Sequence, residues 1–318
     1  MNTLRRNIDN PPFLIMMIGL PGSGKSTYGE EIEIDCAVEK HKPIIHSSDA
    51  LRAELYGNAA IQGDNNALFQ ELHKRIKEDL RNGKDVIYDA TNIKKKLRRQ
   101  FLTEMKSVSC CPIAICMMTP FEVCCSNNLQ RDRQVPYEAI KRMYMNWQPP
   151  EYREGFDDIL YVFSCHSSEY TIQNFFEKAN KFDQENKHHA LSLGEHCTKA
   201  ATYIQETDPD DFYLLLAALM HDNGKIFTKT RVNAKGIEDG DCHYYQHHCV
   251  GAYDSILYFE HHLNAEKLTY VANLIYYHMH PYVEWKQSEK CHKRDRELLG
   301  EDMYMAVQKL HRADVYAH

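Results

Sequence analysis

The sequence predicts an α/β unit, a parallel sheet with helices on both faces, followed by a helical, histidine-rich half. Three observations predict it. The apolar run Phe13–Ile18 leads directly into Gly19-Leu20-Pro21-Gly22-Ser23-Gly24-Lys25-Ser26, a complete G-x-x-x-x-G-K-S phosphate loop. Short apolar runs then alternate with amphipathic stretches up to about Ile159, the signature of parallel strands joined by helices. Past the polar stretch Ser164–Asn186, histidines and aspartates recur at the ends of apolar helical segments. The chain has 318 residues, enough for two domains, and its 43% hydrophobic content can supply a core for each.

Met1–Pro12 is polar and ends in two prolines, a flexible lead-in. In the phosphate loop, glycines let backbone N–H groups wrap a triphosphate, and the following helix offers its positive end. Lys25 places a charge on the β- and γ-phosphates and the Ser26 hydroxyl is suited to Mg²⁺, so Gly22, Ser23, Gly24, Lys25, Ser26 and Thr27 are the expected nucleotide contacts. The helix should run to about Glu39, and Pro43–His46 is a short strand. Ser47-Ser48 can cap the next helix, where Asp49 and Arg52 share one face. Beside a phosphate loop, such a carboxylate can take a proton from a hydroxyl and such an arginine can hold a phosphate. The same pair could instead be a dipole-complementing acid and a surface arginine.

Leu68, Leu72, Ile76 and Leu80 form a helical stripe that Asn82-Gly83 ends. Asp85–Asn92 reads as a strand ending in Asp89, placed like the acid that acts at or near Mg²⁺, with Thr91 and Asn92 lining the site. Ile113–Met118 is another core strand. Ligands of such sheets sit at the carboxyl ends of the strands, where Lys25, Asp49 and Asp89 all fall. Arg131 and Arg133 precede Val135-Pro136 and a helix over about Tyr137–Trp147. They read as a lid reaching over the phosphates, or as a helix end whose arginines complement the dipole.

The net charge of −7 offers no global basic field for nucleic acid. The densest basic run, Lys94–Arg99, is either a solvated helix face or a phosphate-binding patch. The 11 cysteines are odd in number, match no zinc or disulfide spacing, and read as small core residues of a reduced, cytoplasmic protein. No signal peptide and no membrane-length apolar run is visible, so no membrane partner is expected.

From Phe13 to Ile159 the chain resembles the P-loop module of 5′-OH polynucleotide kinases of nucleic-acid end healing. The resemblance rests on GLPGSGKST, on the D-x-x-R of Asp49 and Arg52, on DATN at Asp89–Asn92, and on R-x-R-x-V-P at Arg131–Pro136. It implies that Lys25 and Ser26 bind ATP·Mg²⁺ and that Asp49 is the general base on the 5′-OH. It further implies that Arg52 grips the acceptor's adjacent phosphate and Arg131 clamps the transferred phosphoryl group. Small-molecule kinases share the loop, the aspartate and the lid arginine; Arg52 tilts the reading to a phosphate-bearing acceptor.

In the second half, His196 follows Leu193-Gly194-Glu195, and His221-Asp222 ends the apolar run Phe212–Met220 ahead of Gly224. His247-His248, then His278 and His280, flank further apolar stretches, and Asp314 lies in the last segment. Imidazoles and carboxylates converging from separate helices are an ordinary donor set for a divalent metal. Lys225, just past the glycine, could meet a scissile phosphate.

This half, His188–His318, resembles the HD phosphohydrolase superfamily, which is all-α and metal-dependent. MHDNGK carries most of the resemblance; YYQHHCVGA and LHRADVYAH look most like the HD domain of tRNA nucleotidyltransferases. It implies a metal set of His196, His221, Asp222 and Asp314, with His247 and His278 on a second metal or on the phosphate. His248 competes with His247, and His280 with His278. His188 and His189 read as capping or exposed residues that could also reach the pocket. The metal would be Mn²⁺, Ni²⁺, Fe²⁺ or Zn²⁺. The chain stops four residues past Asp314, where the resemblance leads one to expect the helix to continue.

Together these imply a P-loop kinase domain over 1–163, a connector over 164–187 and an HD domain over 188–318. The implied protein is a bifunctional end-healing enzyme acting on nucleic-acid ends, RNA favoured over DNA, with ATP and with a ligase as partner in repair. The alternative is a nucleoside or small-molecule kinase whose HD domain hydrolyses or senses nucleotides.

Overall fold

A computed structural model describes residues 10–38, 42–61, 63–165, 168–185 and 191–318. Most of the expected lead-in, together with His188 and His189, lies outside the described residues. The chain divides into two compact units: Met1–Ile140 with Pro150–Ser164, and Lys141–Pro149 with Cys165–His318.

The first unit is built in the order β1 (Phe13–Ile18), α1 (Lys25–Val38), β2 (Ile44–Ser47), α2 (Ser48–Tyr56), α3 (Asn65–Arg81), β3 (Val86–Asp89), α4 (Lys95–Met105), β4 (Cys111–Met118), α5 (Phe121–Leu129) and the start of α6 (Tyr137–Tyr144), whose residues from Lys141 on belong to the second unit. The last strand, β5 (Asp158–Phe163), follows a 3-10 turn at Tyr152–Glu154. The five strands run parallel in the order β2-β3-β1-β4-β5. Strand β1 is central and buried from Leu14 to Ile18, which is why it reads as a continuous apolar run. Because β1 has β3 on one side and β4 on the other, its carboxyl end sits where the strand order reverses, the usual ligand crevice of such sheets. The register places Met17 and Ser47 level with Asp89, so the loops after β1, β2 and β3 emerge together.

Local chemistry sets the boundaries. Ser47 caps α2, its hydroxyl accepting from Asp49 N and Ala50 N. Asp64 caps α3, and the stripe Leu68, Leu72, Ile76 and Leu80 is buried as the spacing predicts. Two expectations need correction. The helix after the lid ends at Tyr144, not Trp147; Trp147 is fully buried against Tyr253 in the second unit, 5.2 Å between ring centroids. The basic run Lys94–Arg99 is not a wholly solvated face, because Lys95 and Arg98 turn inward on α4 while Lys94 and Lys96 stay exposed. Arg98 Nε and Nη2 donate to Glu154 at 2.9 and 2.8 Å with both side chains fully buried. Glu154→Ala should leave that guanidinium unpaired in the core and cost about 3–5 kcal/mol, read as a lowered thermal midpoint.

In the second unit follow α7 (Ile172–Ala179), α8 (Leu193–Thr207), α9 (Phe212–Met220), α10 (Lys225–Thr228), β6 (Thr230–Val232), β7 (Glu238–His243), α11 (His247–Tyr258), α12 (Ala265–Tyr277), α13 (Glu284–Gln287) and α14 (Glu289–Ala317). The stretch expected as a connector carries α7, capped by Thr171 and anchored by the fully buried Phe175. Its polar composition hides one apolar face. The unit is helical except for the antiparallel pair β6–β7, absent from the all-α expectation. Its turn forms because the Asn233 side chain accepts from Lys235 N and Ile237 N. Helix α14 breaks at Gly300, whose φ of 75° no β-branched residue would adopt readily. Among the described residues no helix is long and apolar enough to cross a membrane. All 11 cysteines are free; five are buried and six half-buried.

Candidate functional sites

The first site lies at the carboxyl ends of β1, β2 and β3. Gly22 adopts φ 79°, and a Cβ there would lie 2.2 Å from Cys124 O, so only glycine lets the loop pass α5. Lys25 is buried and donates to Leu20 O at 2.7 Å, with Ser23 Oγ 3.4 Å away. Burial lowers its pKa below the usual lysine range, against the pull of Asp89. Ser26 Oγ donates to Asp89 Oδ2 at 2.8 Å, which joins the hydroxyl and the carboxylate expected at Mg²⁺. That oxygen pair fits a hard cation. Gly24, at φ 90°, completes the loop, and Thr27 is exposed on α1.

Thr91 and Asn92 serve the loop from behind. Thr91 O accepts from Gly19 N at 3.0 Å, and Asn92 Nδ2 donates to Met17 O at 2.9 Å. They tie the end of β3 to β1.

Asp49 stands at the start of α2, half-exposed, and pairs with Arg133 and, at 3.5 Å, with Arg131. Both lid arginines thus converge on the carboxylate read as a base. One turn on, Arg52 is buried. Its Nη2 donates to Asn65 Oδ1 at 2.9 Å, while Nε and Nη1 have no partner among the described residues.

Two lid residues escaped the sequence reading. Asn128 is buried and bridges the lid at both ends, donating to Val135 O and accepting from Val135 N, each at 2.9 Å. Asn127 Nδ2 donates to Gly22 O at 3.0 Å. The adjacent asparagines just before R-x-R were the available signal. Asn128→Ala should loosen the lid and lower phosphorylation turnover by about tenfold with little change in thermal midpoint, checked by steady-state kinetics beside calorimetry.

The second site is a buried cluster in the second unit. His196 Nε2 lies 3.3 Å from Asp222 Oδ2 and 3.1 Å from Asp314 Oδ1. His221 Nε2 lies 3.4 and 3.5 Å from the same two oxygens. Asp222 turns its other oxygen to His247 and His278, at 3.2 and 3.6 Å. One carboxylate therefore faces two groups of imidazoles. His196, His221, Asp222, His247, His278 and Asp314 all come together, whereas His248 and His280 are not in the groups of converging ligand atoms. His280 instead contacts Asp295 at 3.1 Å.

The donor chemistry fits a metal. Nδ1 of His221, His247 and His278 lies 2.8, 2.7 and 2.6 Å from the carbonyls of Ala218, Tyr244 and Ile275, so each can donate there and offer its Nε2 lone pair to a metal. The Nε2 atoms of His247 and His278 then face each other at 3.2 Å, an opposition of lone pairs that a cation resolves. Burial pushes His278 down to about 4, which keeps it in the ligating form. Burial works against the Asp222 charge, yet Lys225 and His221 hold its carboxyl well below the usual range. Lys225 Nζ sits 2.7 Å from Asp222 Oδ2 and 2.9 Å from Gln184 Oε1, so it braces the cluster rather than standing free for a phosphate. His318 was missed: its Nε2 lies 3.5 Å from Asp314 Oδ1, one turn along α14, and D-x-x-x-H was the signal.

Residues 14–150 match the family model described as an AAA domain. Over 150 residues the chain is 30% identical to the L-seryl-tRNA(Sec) kinase of Methanococcus maripaludis, covering 45% of this chain. The chain spans 56% of the length of that relative. Among solved structures it is similar to a gluconokinase from Sinorhizobium meliloti, at 18% identity and a TM-score of 0.35, over 50% of this chain and 86% of that one. It is also similar to a chain of the Pnkp1/Rnl/Hen1 RNA repair complex, at 19% identity and a TM-score of 0.36, over 45% of each chain. With its phosphate loop, its five-stranded parallel sheet, the family model matched over residues 14–150 and the match to the curated kinase, the N-terminal half is a kinase-like P-loop domain.

Proposed function

We propose that the chain heals nucleic-acid ends by two reactions, ATP-dependent phosphorylation of a 5′-hydroxyl and metal-dependent removal of a 2′,3′-cyclic, 2′- or 3′-phosphate. The observation that carries the acceptor reading is Arg52, a buried guanidinium whose Nε and Nη1 have no partner among the described residues, one turn from Asp49. A buried cation with unmet donors is costly unless an anion completes it. An anion there, beside the reacting hydroxyl, describes a nucleotide end better than a neutral metabolite. RNA is favoured over DNA, which the relative named for a tRNA-borne acceptor supports. A ligase that joins the healed ends is the natural partner, in a reducing cytoplasm that 11 free cysteines suit.

In the phosphorylation, Lys25 binds the β- and γ-phosphates of ATP and Asp49 takes the proton of the attacking hydroxyl. Ser26 and Asp89 would hold Mg²⁺, whose charge offsets that of the phosphates. Arg131 and Arg133 move from Asp49 to the phosphates, freeing the carboxylate for the acceptor. In the second unit, His196, His221, Asp222 and Asp314 would hold one divalent ion, and Asp222, His247 and His278 another. Bound there, such ions supply Lewis acidity toward a phosphate ester.

The test is an oligoribonucleotide bearing a 5′-OH and a 2′,3′-cyclic phosphate, incubated with γ-labelled ATP and Mg²⁺ or Mn²⁺. Both ends should change. Labelling of a small metabolite with none on the oligonucleotide would sink the proposal.

A further inference from the structure

We propose that Asn65 is a positioning residue that aims Arg52 at the acceptor's anionic group and so sets the preference for phosphate-bearing acceptors. This rests on the acceptor reading above and adds to it a residue with no phosphate contact of its own.

Among the described residues the Asn65 side chain has one hydrogen-bond partner, Arg52. Asn65 is the first residue of α3, yet the helix is capped by its neighbour: Asp64 Oδ1 accepts from Asn66 N at 2.8 Å and Ala67 N at 3.2 Å. The Asn65 carboxamide is therefore not spent on the helix end, and its Oδ1 is turned to Arg52 Nη2 at 2.9 Å. The segment joining α2 to α3 is held where it must be for this contact. Tyr56, one turn beyond Arg52 on α2, donates its hydroxyl to Asp64 O at 3.2 Å. Its ring occupies the space that a side chain at Gly63 would need, with a Cβ there 2.3 Å from the ring.

The chemistry of the pair favours an unfinished anion site. A guanidinium buried for structure is completed by its surroundings, as Arg98 is by Glu154 and Asn92 O. Arg52 is buried to a similar degree but receives one neutral acceptor, which orients it without cancelling its charge. An aspartate at position 65 would have neutralised it. A neutral carboxamide keeps the full charge for an anion that arrives with the substrate.

The experiment compares ATP-dependent phosphorylation of a nucleoside 3′-phosphate with that of the same nucleoside without phosphate, in wild type, Asn65→Ala and Asn65→Asp. Wild type should prefer the phosphorylated acceptor. Asn65→Ala should lower that preference by about fivefold to tenfold through KM, with kcat and the unphosphorylated acceptor unchanged. Asn65→Asp should lower it too, although it keeps a hydrogen bond to Arg52 and the thermal midpoint. A merely structural Asn65 predicts the reverse, rescue by Asp. If wild type shows no preference, the acceptor reading itself fails; if the preference survives both substitutions, Asn65 alone is excluded.

Discussion

Asp222→Asn should abolish the proposed divalent-metal binding and the proposed phosphate-ester hydrolysis of the second unit, while phosphorylation continues at the wild-type rate. The carboxylate is the one group shared by both sets of imidazoles, with Oδ2 toward His196 and His221 and Oδ1 toward His247 and His278. Losing it removes a charged donor from each set at once. Removal of groups that only orient ligands already costs about 10–100-fold in metal affinity, so a shared ligand should cost more. The asparagine keeps the volume and can still accept from Lys225, which limits damage to the fold. Metal content of the purified variant and hydrolysis of p-nitrophenyl phosphate with added Mn²⁺ provide the measurement. A variant that retains both metal and hydrolysis would refute the cluster as a metal site.

Asp49→Asn should produce the mirror image, with phosphorylation down about 10²–10⁴-fold and hydrolysis intact. An amide cannot take the proton of the acceptor hydroxyl. The geometry adds a second expectation of opposite sign. Arg131 and Arg133 are paired with Asp49. ATP must compete with that carboxylate for the two guanidinium groups, so its removal should tighten ATP binding even as turnover collapses. Calorimetric titration with a non-hydrolysable ATP analogue beside steady-state kinetics separates the two effects. A turnover within a few-fold of wild type would rule out Asp49 as the base.

Much of this could be read from the chain because the signals are local. The phosphate loop needs glycine where the backbone is left-handed and crowded by α5, as at Gly22. The stripe on α3 follows from helical period alone. The histidine order left two choices open, His247 against His248 and His278 against His280. His247 and His248 are neighbours on α11 and point about 100° apart, whereas His278 caps α12 and His280 lies in the turn beyond it; only the tertiary packing shows that His247 and His278 turn to Asp222.

The sequence by itself determined the strand–helix order of the first unit and the loop that cradles phosphates, and it narrowed the metal candidates to histidines and aspartates at the ends of apolar helical segments. These depend on residue type and short spacing, which the chain carries directly. The tertiary structure alone decided that Arg98 belongs to the core while two donors of Arg52 find no partner among the described residues, and that Tyr144 and Trp147 belong to the second unit. A cation's role depends on what the rest of the fold brings to it. Arg98 meets a carboxylate 56 residues away; Arg52 meets a neutral amide.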